Sequence, residues 1–516
     1  MPNVTPQTSP NPALTSQPRH AFAPARRIFR PGPLAGRYPA VAAMVVLFLV
    51  PYLALSAALQ PVTPLISGTL HISPQTAGLA SGMANAAYAA GTVLSVQFAQ
   101  HLPQRRMLLI YAVFLVIGSV LAASATDPSM FIAGHILQGL CTSLLLIAAA
   151  PPLFLGYPAA KLRWTTMIMN MCIFGAVAAG PLIGGAQASF HAWRPLFWIA
   201  AGVAVLALLL ALLTFEDAPP ADRSAPKDGW AIALATGGSV AAFWGASELT
   251  THAFLDPVAI GPLLGGLVLI IALWVYQYRG TRVLLTLRPL ASTFPVAGIV
   301  VAICAAAASV SAIALTSASL ATKYAPLHLG LLYLPELVGA VLASIAFGVV
   351  FSSKYIHYFA LFGMVSLAAG ILVIQGAVPP TTGLTLVGSA LIGIGVGASV
   401  VPALFLAGFS LRSASIQRVF AILELMRAFA AFMIVPILLH FAVSMAGLPT
   451  EAMRTTLWVC FGLAVGGTLV GVLLYVLGGS APPAPSLEKF LGGGEPGWKS
   501  PALLAAVRRG GSRTHS

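Results

Sequence analysis

Apolar residues in this chain come in long runs separated by short polar stretches. A helix needs about 20 predominantly apolar residues to cross the hydrocarbon core of a bilayer. Fourteen runs approach or exceed that length: residues 41–70, 76–99, 107–123, 131–156, 166–188, 196–215, 230–247, 258–276, 294–320, 327–351, 358–376, 384–409, 419–442 and 457–476. The pattern predicts an all-α polytopic membrane protein. The runs divide into a six-helix bundle (residues 39–215), an inserted pair (230–278) and a second six-helix bundle (279–479). Two six-helix groups suit a molecule in which two bundles rock around a central site, although no sequence repeat between the groups stands out. Residues 216–229 hold Glu216, Asp217, Asp222 and Asp228 among prolines and read as a solvated cytoplasmic linker. Residues 1–38, rich in Pro, Ser, Thr and Gln, read as a disordered tail. Residues 480–516 are rich in Gly and Pro and read as a flexible tail, with a short helix over 501–507. No cleavable leader is expected, because the first apolar run starts late and is too long for a signal-peptide core.

Composition narrows the class. Only 7% of the 516 residues are charged, against roughly 25% in soluble domains, so the chain cannot cover a water-facing surface. The net charge of +14 would suit nucleic acid, but its distribution has a different cause. With the N-terminus placed in the cytoplasm, 22 of the 26 Lys and Arg fall in the tails and inner loops. Three fall outside (Arg194, Lys323 and Arg454), and Arg427 lies within a run. That bias is the positive-inside rule. It puts both termini in the cytoplasm, supports an even number of spans and predicts a multi-pass protein of the plasma (cell inner) membrane. The basic tails then meet anionic lipid headgroups, and no nucleic acid is needed. Cys141, Cys172, Cys304 and Cys460 all fall inside apolar runs, with no ligand spacing and no secreted framework.

The fifth run carries the most specific motif. It reads Gly175-Ala-Val-Ala-Ala-Gly180-Pro181-Leu-Ile-Gly184-Gly185. Small residues at these intervals let a neighbouring helix approach closely in lipid, and the proline removes a backbone donor and loosens the helix. The pattern is either a conformational seam or ordinary packing. It resembles the antiporter motif in helix five of the major facilitator superfamily, and further stretches resemble the fourteen-helix drug:proton antiporter branch of the EmrB/QacA type. These are Trp193 to Ile199 (WRPLFWI), the start of helix ten at Pro326 to Pro335 (PLHLGLLYLP), and Gly393, Gly395 and Gly397 followed by Pro402 in helix twelve. The resemblance implies a secondary transporter with a small-molecule substrate, working by alternating access. It also implies a gating loop between helices two and three, which here keeps Arg105 and Arg106 but has His101 where the family has an acid. The fourth-helix motif keeps Gln138 and Gly139, with His135 in place of an arginine.

Proton coupling needs a group that titrates and that conformation can expose to either side. Asp127 is the one acid between Arg37 and Glu216, and it sits in an outer loop. The family's first-helix acid therefore has no counterpart, and within its spans the first bundle offers only His135, as proton carrier or as neutral hydrogen-bonding residue. Glu336 follows Pro335 about 13 Å into helix ten, near the midplane. An isolated carboxylate there must be protonated, paired or in contact with water. The family resemblance sets helix ten against helix five, so Glu336 is placed to face the glycine seam. Glu424 and Arg427 stand three apart on one face of helix thirteen, either as a static ion pair or as a proton-linked switch. Glu248, at the outer end of helix seven, is explained by interfacial solvation. The resemblance also implies a cavity lined by helices one, four, nine and twelve, with Gln60 and Gln138 as substrate contacts. Asn85, Tyr88 and Asn170 read instead as interhelical hydrogen-bonding residues. So little negative charge favours neutral or anionic amphiphiles over a strict cation specialist.

No Walker loop, nucleophile elbow, HExxH or paired intramembrane aspartates occur, and the histidines show no metal spacing. Catalytic residues, metal and cofactor are not expected. The sequence is silent on a periplasmic adaptor and an outer-membrane channel. The expectation is a proton-coupled exporter of small amphiphilic compounds. An uncoupled facilitator or uptake carrier of the same fold remains open, as does a non-transporting receptor or lipid-handling scaffold.

Overall fold

A computed structural model gives the architecture, and the described residues are 32–214, 220, 227–280, 283–444, 449–493 and 495–505. Glu216, Asp217, Asp222 and most of the basic residues assigned to the tails lie outside them, as do residues 1–31. The first bundle comprises α1 (Tyr38–Leu70), α2 (Pro74–His101), α3 (Gln104–Ala123), α4 (Pro128–Leu155), α5 (Ala159–Ser189) and α6 (Arg194–Thr214). The inserted pair is α7 (Gly229–Glu248) and α8 (Pro257–Arg279). The second bundle comprises α9 (Thr293–Leu320), α10 (Pro326–Val350), α11 (Ile356–Gln375), α12 (Thr382–Phe409), α13 (Ser413–Val443) and α14 (Pro449–Gly478). Side-chain caps start several of them. Ser73, Asp127, Asp228, Asp256 and Thr381 each accept a backbone N–H from the first turn, satisfying donors that a helix start leaves open. Asp127 thus caps α4, and the Ser129 hydroxyl and Met130 N–H it accepts hold its carboxyl below the usual carboxylate range.

Twelve of the described helices are long and apolar enough to cross a membrane, against the fourteen expected. The other two, α2 and α7, occupy expected runs and have 28 and 20 residues. They are less apolar because their neighbours are protein. The small and polar residues of α2 pack on α4, α7 and α13, and α7 is pressed between α2 and α8. Gly245 and Gly266 make the α7–α8 contact intimate, since an added Cβ on either would come within 2.5 Å of the facing backbone.

The repeat that the sequence hides is plain in three dimensions. The third and fourth helices pack together in each bundle, as do the second and fourth (α3 on α4 and α11 on α12; α2 on α4 and α10 on α12). The bundles meet reciprocally, the second helix of one against the fifth of the other: α2 against α13, and α10 against α5. Both fifth helices contain one π-helical turn, Met171–Gly175 in α5 and Phe429–Met433 in α13.

The described parts of the tails depart from expectation. Residues 32–37 form a turn held to the end of α6 by Leu34 N–H donating to Leu213 O at 3.0 Å. The described residues after Gly479 (480–493 and 495–505) are packed onto the second bundle rather than loose. Trp498 and Phe490 are fully buried, and the Phe490 ring stacks on Phe409 at 4.4 Å. Trp498 Nε1 donates to Pro483 O, and Thr293 N–H donates to Pro501 O. A short helix does form, but at Leu487–Leu491. Residues 501–505 are not helical over their length, with Leu504 at φ 59°, and 506 and 507 lie outside the described residues. Bulky aromatics in a Gly- and Pro-rich segment supply the burial that holds it.

Candidate functional site

Between the bundles, in the half of the molecule away from the termini, lies a cavity of about 370 Å³. Its walls come from both bundles, chiefly from α1, α2, α4 and α5 on one side and α9, α10, α12 and α13 on the other. Most of the lining is apolar or small. The polar groups include Gln60, Asn85, His135 and several hydroxyls; Glu336 is the one acid, and no Lys or Arg lines it among the described residues.

Glu336 owes its place to a break. At Tyr333 (φ −97°, ψ 2°) α10 stops and restarts at Leu334. Tyr333 is pinned by its hydroxyl, which donates to Thr316 Oγ1 of α9 at 2.9 Å. Pro335 is tolerated because it falls in the new first turn. Glu336 is 6% exposed, and its Oε2 has no hydrogen-bond partner among the described residues. Behind it α12 approaches closely, since a Cβ on Gly393 would come 2.0 Å from Glu336 O.

His135 also reaches the cavity. Its Nδ1 donates to Gln138 Oε1 at 3.1 Å, its Nε2 has no partner, and its ring stacks on Phe131. Gln138 itself is not part of the lining. Its amide is turned to Ser119 Oγ of α3 at 3.0 Å, so its polar ends are used inside the bundle. Gln60 stands exposed on the cavity wall. Asn85, half-buried, also lines the cavity and accepts from Tyr52 OH at 3.1 Å.

The glycine run of α5 serves two contacts. Gly180 and Gly184 pack within their own bundle, where an added Cβ would meet Ala57 and Ala58 of α1 at 2.2 and 2.3 Å. Gly185 faces the other bundle, 2.3 Å in the same sense from Pro326 O of α10, and Gly330 of α10 faces Pro181 O. Pro181 lines the cavity, and Gly175 ends the π-helical turn. Only part of the run therefore lies on the interface between bundles.

Glu424 and Arg427 do not join Glu336. They lie buried in α13 against α2, outside the cavity wall. Arg427 Nε donates to both carboxylate oxygens at 2.9 and 3.0 Å, its Nη2 also pairs with Glu424, and Tyr88 OH donates to Glu424 Oε1 at 2.6 Å. Tyr88 stacks on Tyr52, whose ring lies 5.8 Å from that of His135, so aromatic rings connect this cluster to the cavity. Tyr52 carried no sequence signal, being one aromatic within an apolar run. Arg105 and Arg106 are remote, at the termini end, where Arg105 Nη2 donates to Leu212 O at 3.3 Å. There Gln97 Oε1 accepts Asp228 N–H, near the end of the linker, at 2.8 Å. Glu248 is more than solvated. It is 8% exposed and binds Gln75, Trp244 and His252.

The termini end of the interface is shut. Phe154 of α4 meets Phe405 and Phe409 of α12 and Phe420 of α13 with ring centres 5.2–6.0 Å apart. Asn170 of α5 donates to Gly397 O of α12 at 2.7 Å, and Gln417 donates to Ile147 O. A cavity in one half with the other half sealed is the geometry expected of one state of an alternating-access cycle.

Comparison with known proteins agrees with this geometry. Residues 43–353 match the Major Facilitator Superfamily. Over 324 residues the chain is 26% identical to the uncharacterised MFS-type transporter YubD of Bacillus subtilis, covering 60% of this chain and 61% of YubD. Over 180 residues it is 28% identical to the lincomycin resistance protein LmrB of the same organism, covering 34% and 37%. The chain thus spans less than two thirds of each of these relatives. The structure of the proton:xylose symporter XylE shares the fold with a TM-score of 0.60 at 12% identity, over 91% of this chain and 98% of that one.

Proposed function

This chain belongs to the major facilitator superfamily, and we propose that it exports small amphiphilic compounds across the cell membrane in exchange for protons bound at Glu336. A membrane transporter of this superfamily moves its substrate by exposing a central site to each side in turn. The observation that carries the coupling is the Glu336 carboxyl itself: a lone acid on the wall of an otherwise uncharged cavity, with one oxygen unpartnered. An ionised carboxylate without a counter-charge is costly in such a place. Glu336 therefore holds a proton while the cavity is dry and releases it when water or a polar part of the substrate takes over. It stands beside the cross-bundle contact of α5 and α10, where rocking of the bundles changes its surroundings. Apolar walls with scattered hydroxyl and amide groups suit amphiphiles, and one relative is named for resistance to lincomycin. A cytoplasmic placement of both termini, from the charge bias, makes the cavity of this state face outward, as a step of export requires.

A second reading, an uncoupled facilitator or uptake carrier, draws on the first bundle, which lends the cavity no acid. Flux in proteoliposomes separates the two. Under an opposing proton gradient, chloramphenicol flux should rise at least severalfold over the rate without a gradient, and Glu336→Gln should remove the rise. Flux indifferent to the gradient would support the facilitator, and coupled flux intact in Glu336→Gln would take Glu336 out of the mechanism.

A further inference from the structure

The inserted helix α7 belongs to neither bundle, yet it reaches the central cavity. Phe243, Ser247 and Thr250 all line the cavity. Their spacing of i, i+4 and i+7 makes one continuous stripe along the helix and the turn that follows Glu248. The neighbouring stripe, with Val240 and Trp244 at 38% and 46% exposed, faces outward to lipid.

The stripe is held in place from both sides. On the first bundle, Gly82 of α2 leaves room for Ser247, since an added Cβ there would come 2.2 Å from its Oγ. The Glu248 carboxylate accepts the Gln75 amide of α2 at 3.0 Å. On the second bundle, the Phe243 ring lies 5.3 Å from that of Phe429, and His440 Nδ1 donates to Leu249 O at 2.7 Å. A peripheral attachment would need contacts to one bundle only. Here α7 closes the wall where the outer halves of α2 and α13 diverge.

We propose that α7 is a specificity-determining wall of the substrate cavity, selecting amphiphiles that combine a flat apolar part with an N–H or O–H donor. Phe243, 1% exposed and packed on Phe429, backs the apolar part of that wall. Ser247 and Thr250 both spend their hydroxyl protons on carbonyls of their own helix, at 2.8 and 2.9 Å. Each oxygen can then only accept from a ligand, the Thr250 side chain being exposed and the Ser247 hydroxyl lying beside Gly82 at the cavity wall, so a donor-bearing compound is favoured over one that has none. The proposal rests on the reading of this cavity as the transport site, and its test has one arm that needs no transport.

That arm uses Ser247→Cys in the full chain, with the four native cysteines replaced by serine. A membrane-impermeant maleimide should label the thiol from the side opposite the termini, and chloramphenicol should slow the labelling. A thiol reached only by a lipid-soluble maleimide would overturn the proposal, whether or not the protein transports anything. The second arm compares chloramphenicol, which carries N–H and O–H donors, with tetraphenylphosphonium, which has none. Combining Ser247→Ala with Thr250→Val should raise KM for chloramphenicol relative to tetraphenylphosphonium by about fivefold or more, the loss of one or two net hydrogen bonds. An unchanged ratio would remove α7 from specificity.

Discussion

Single residues decide the chemistry here, and the three buried acids of the spans differ in what surrounds them. Glu248 is hydrogen-bonded by Gln75 and Trp244 and paired with His252. Glu424 is saturated by Arg427 and Tyr88. Glu336 alone keeps an unpartnered oxygen and a place on the cavity wall. Breaking a buried pair strands a charge, whereas removing both partners often costs little. Arg427→Ala should therefore lower stability in detergent by about 3–5 kcal/mol, read as a large drop in Tm. Glu424→Leu combined with Arg427→Met should recover most of that loss. A double variant as unstable as the single would make the pair more than a static clamp between α2 and α13. The sequence marks Glu336 and the i, i+3 spacing of Glu424 and Arg427, because charge in an apolar run is conspicuous. It cannot mark Tyr88 as the third member, since that contact joins residues 336 positions apart.

At the scale of elements, what matters is where helices touch. The glycines of α5 are legible as a close-packing run, but their division between α1 and α10 depends on helix rotation, which the run does not encode. The division has a consequence. Gly185→Val should block transport without reducing membrane insertion, because its side chain meets the Pro326 carbonyl across the bundle interface. Gly202→Val, with nothing within 4 Å, is the matched control and should transport normally. Equal transport by the two would show that the α5–α10 contact does not move. The packed C-terminal segment is the element that composition misread, because two aromatics outweigh its glycines and prolines. Trp498→Ala should cost about 3–5 kcal/mol, as for other buried aromatics. Thermal unfolding in detergent measures this, and an unchanged Tm would mean that the segment adds no stability.

For the whole molecule, run length and charge bias suffice to define a many-helix membrane protein, and the helices fall where the runs lie. The twofold likeness of the bundles escapes the sequence because lipid-facing positions accept almost any apolar residue, so matching helices share shape and contacts without sharing letters. The same freedom hides the part played by α7, whose stripe of Phe243, Ser247 and Thr250 gains meaning only when α2 and α13 are seen to part beside it. The two-state cycle follows from the reciprocal contacts of α2 with α13 and α5 with α10, one end sealed by aromatics and the other holding the cavity. In the export cycle proposed above, a proton and the substrate compete for the surroundings of Glu336. The direct test is proton release on substrate binding, followed with a pH-sensitive dye in weakly buffered detergent solution. Chloramphenicol should displace up to about one proton per bound molecule from the unaltered protein and none from Glu336→Gln. Binding without proton release, or the same release from Glu336→Gln, would contradict the account.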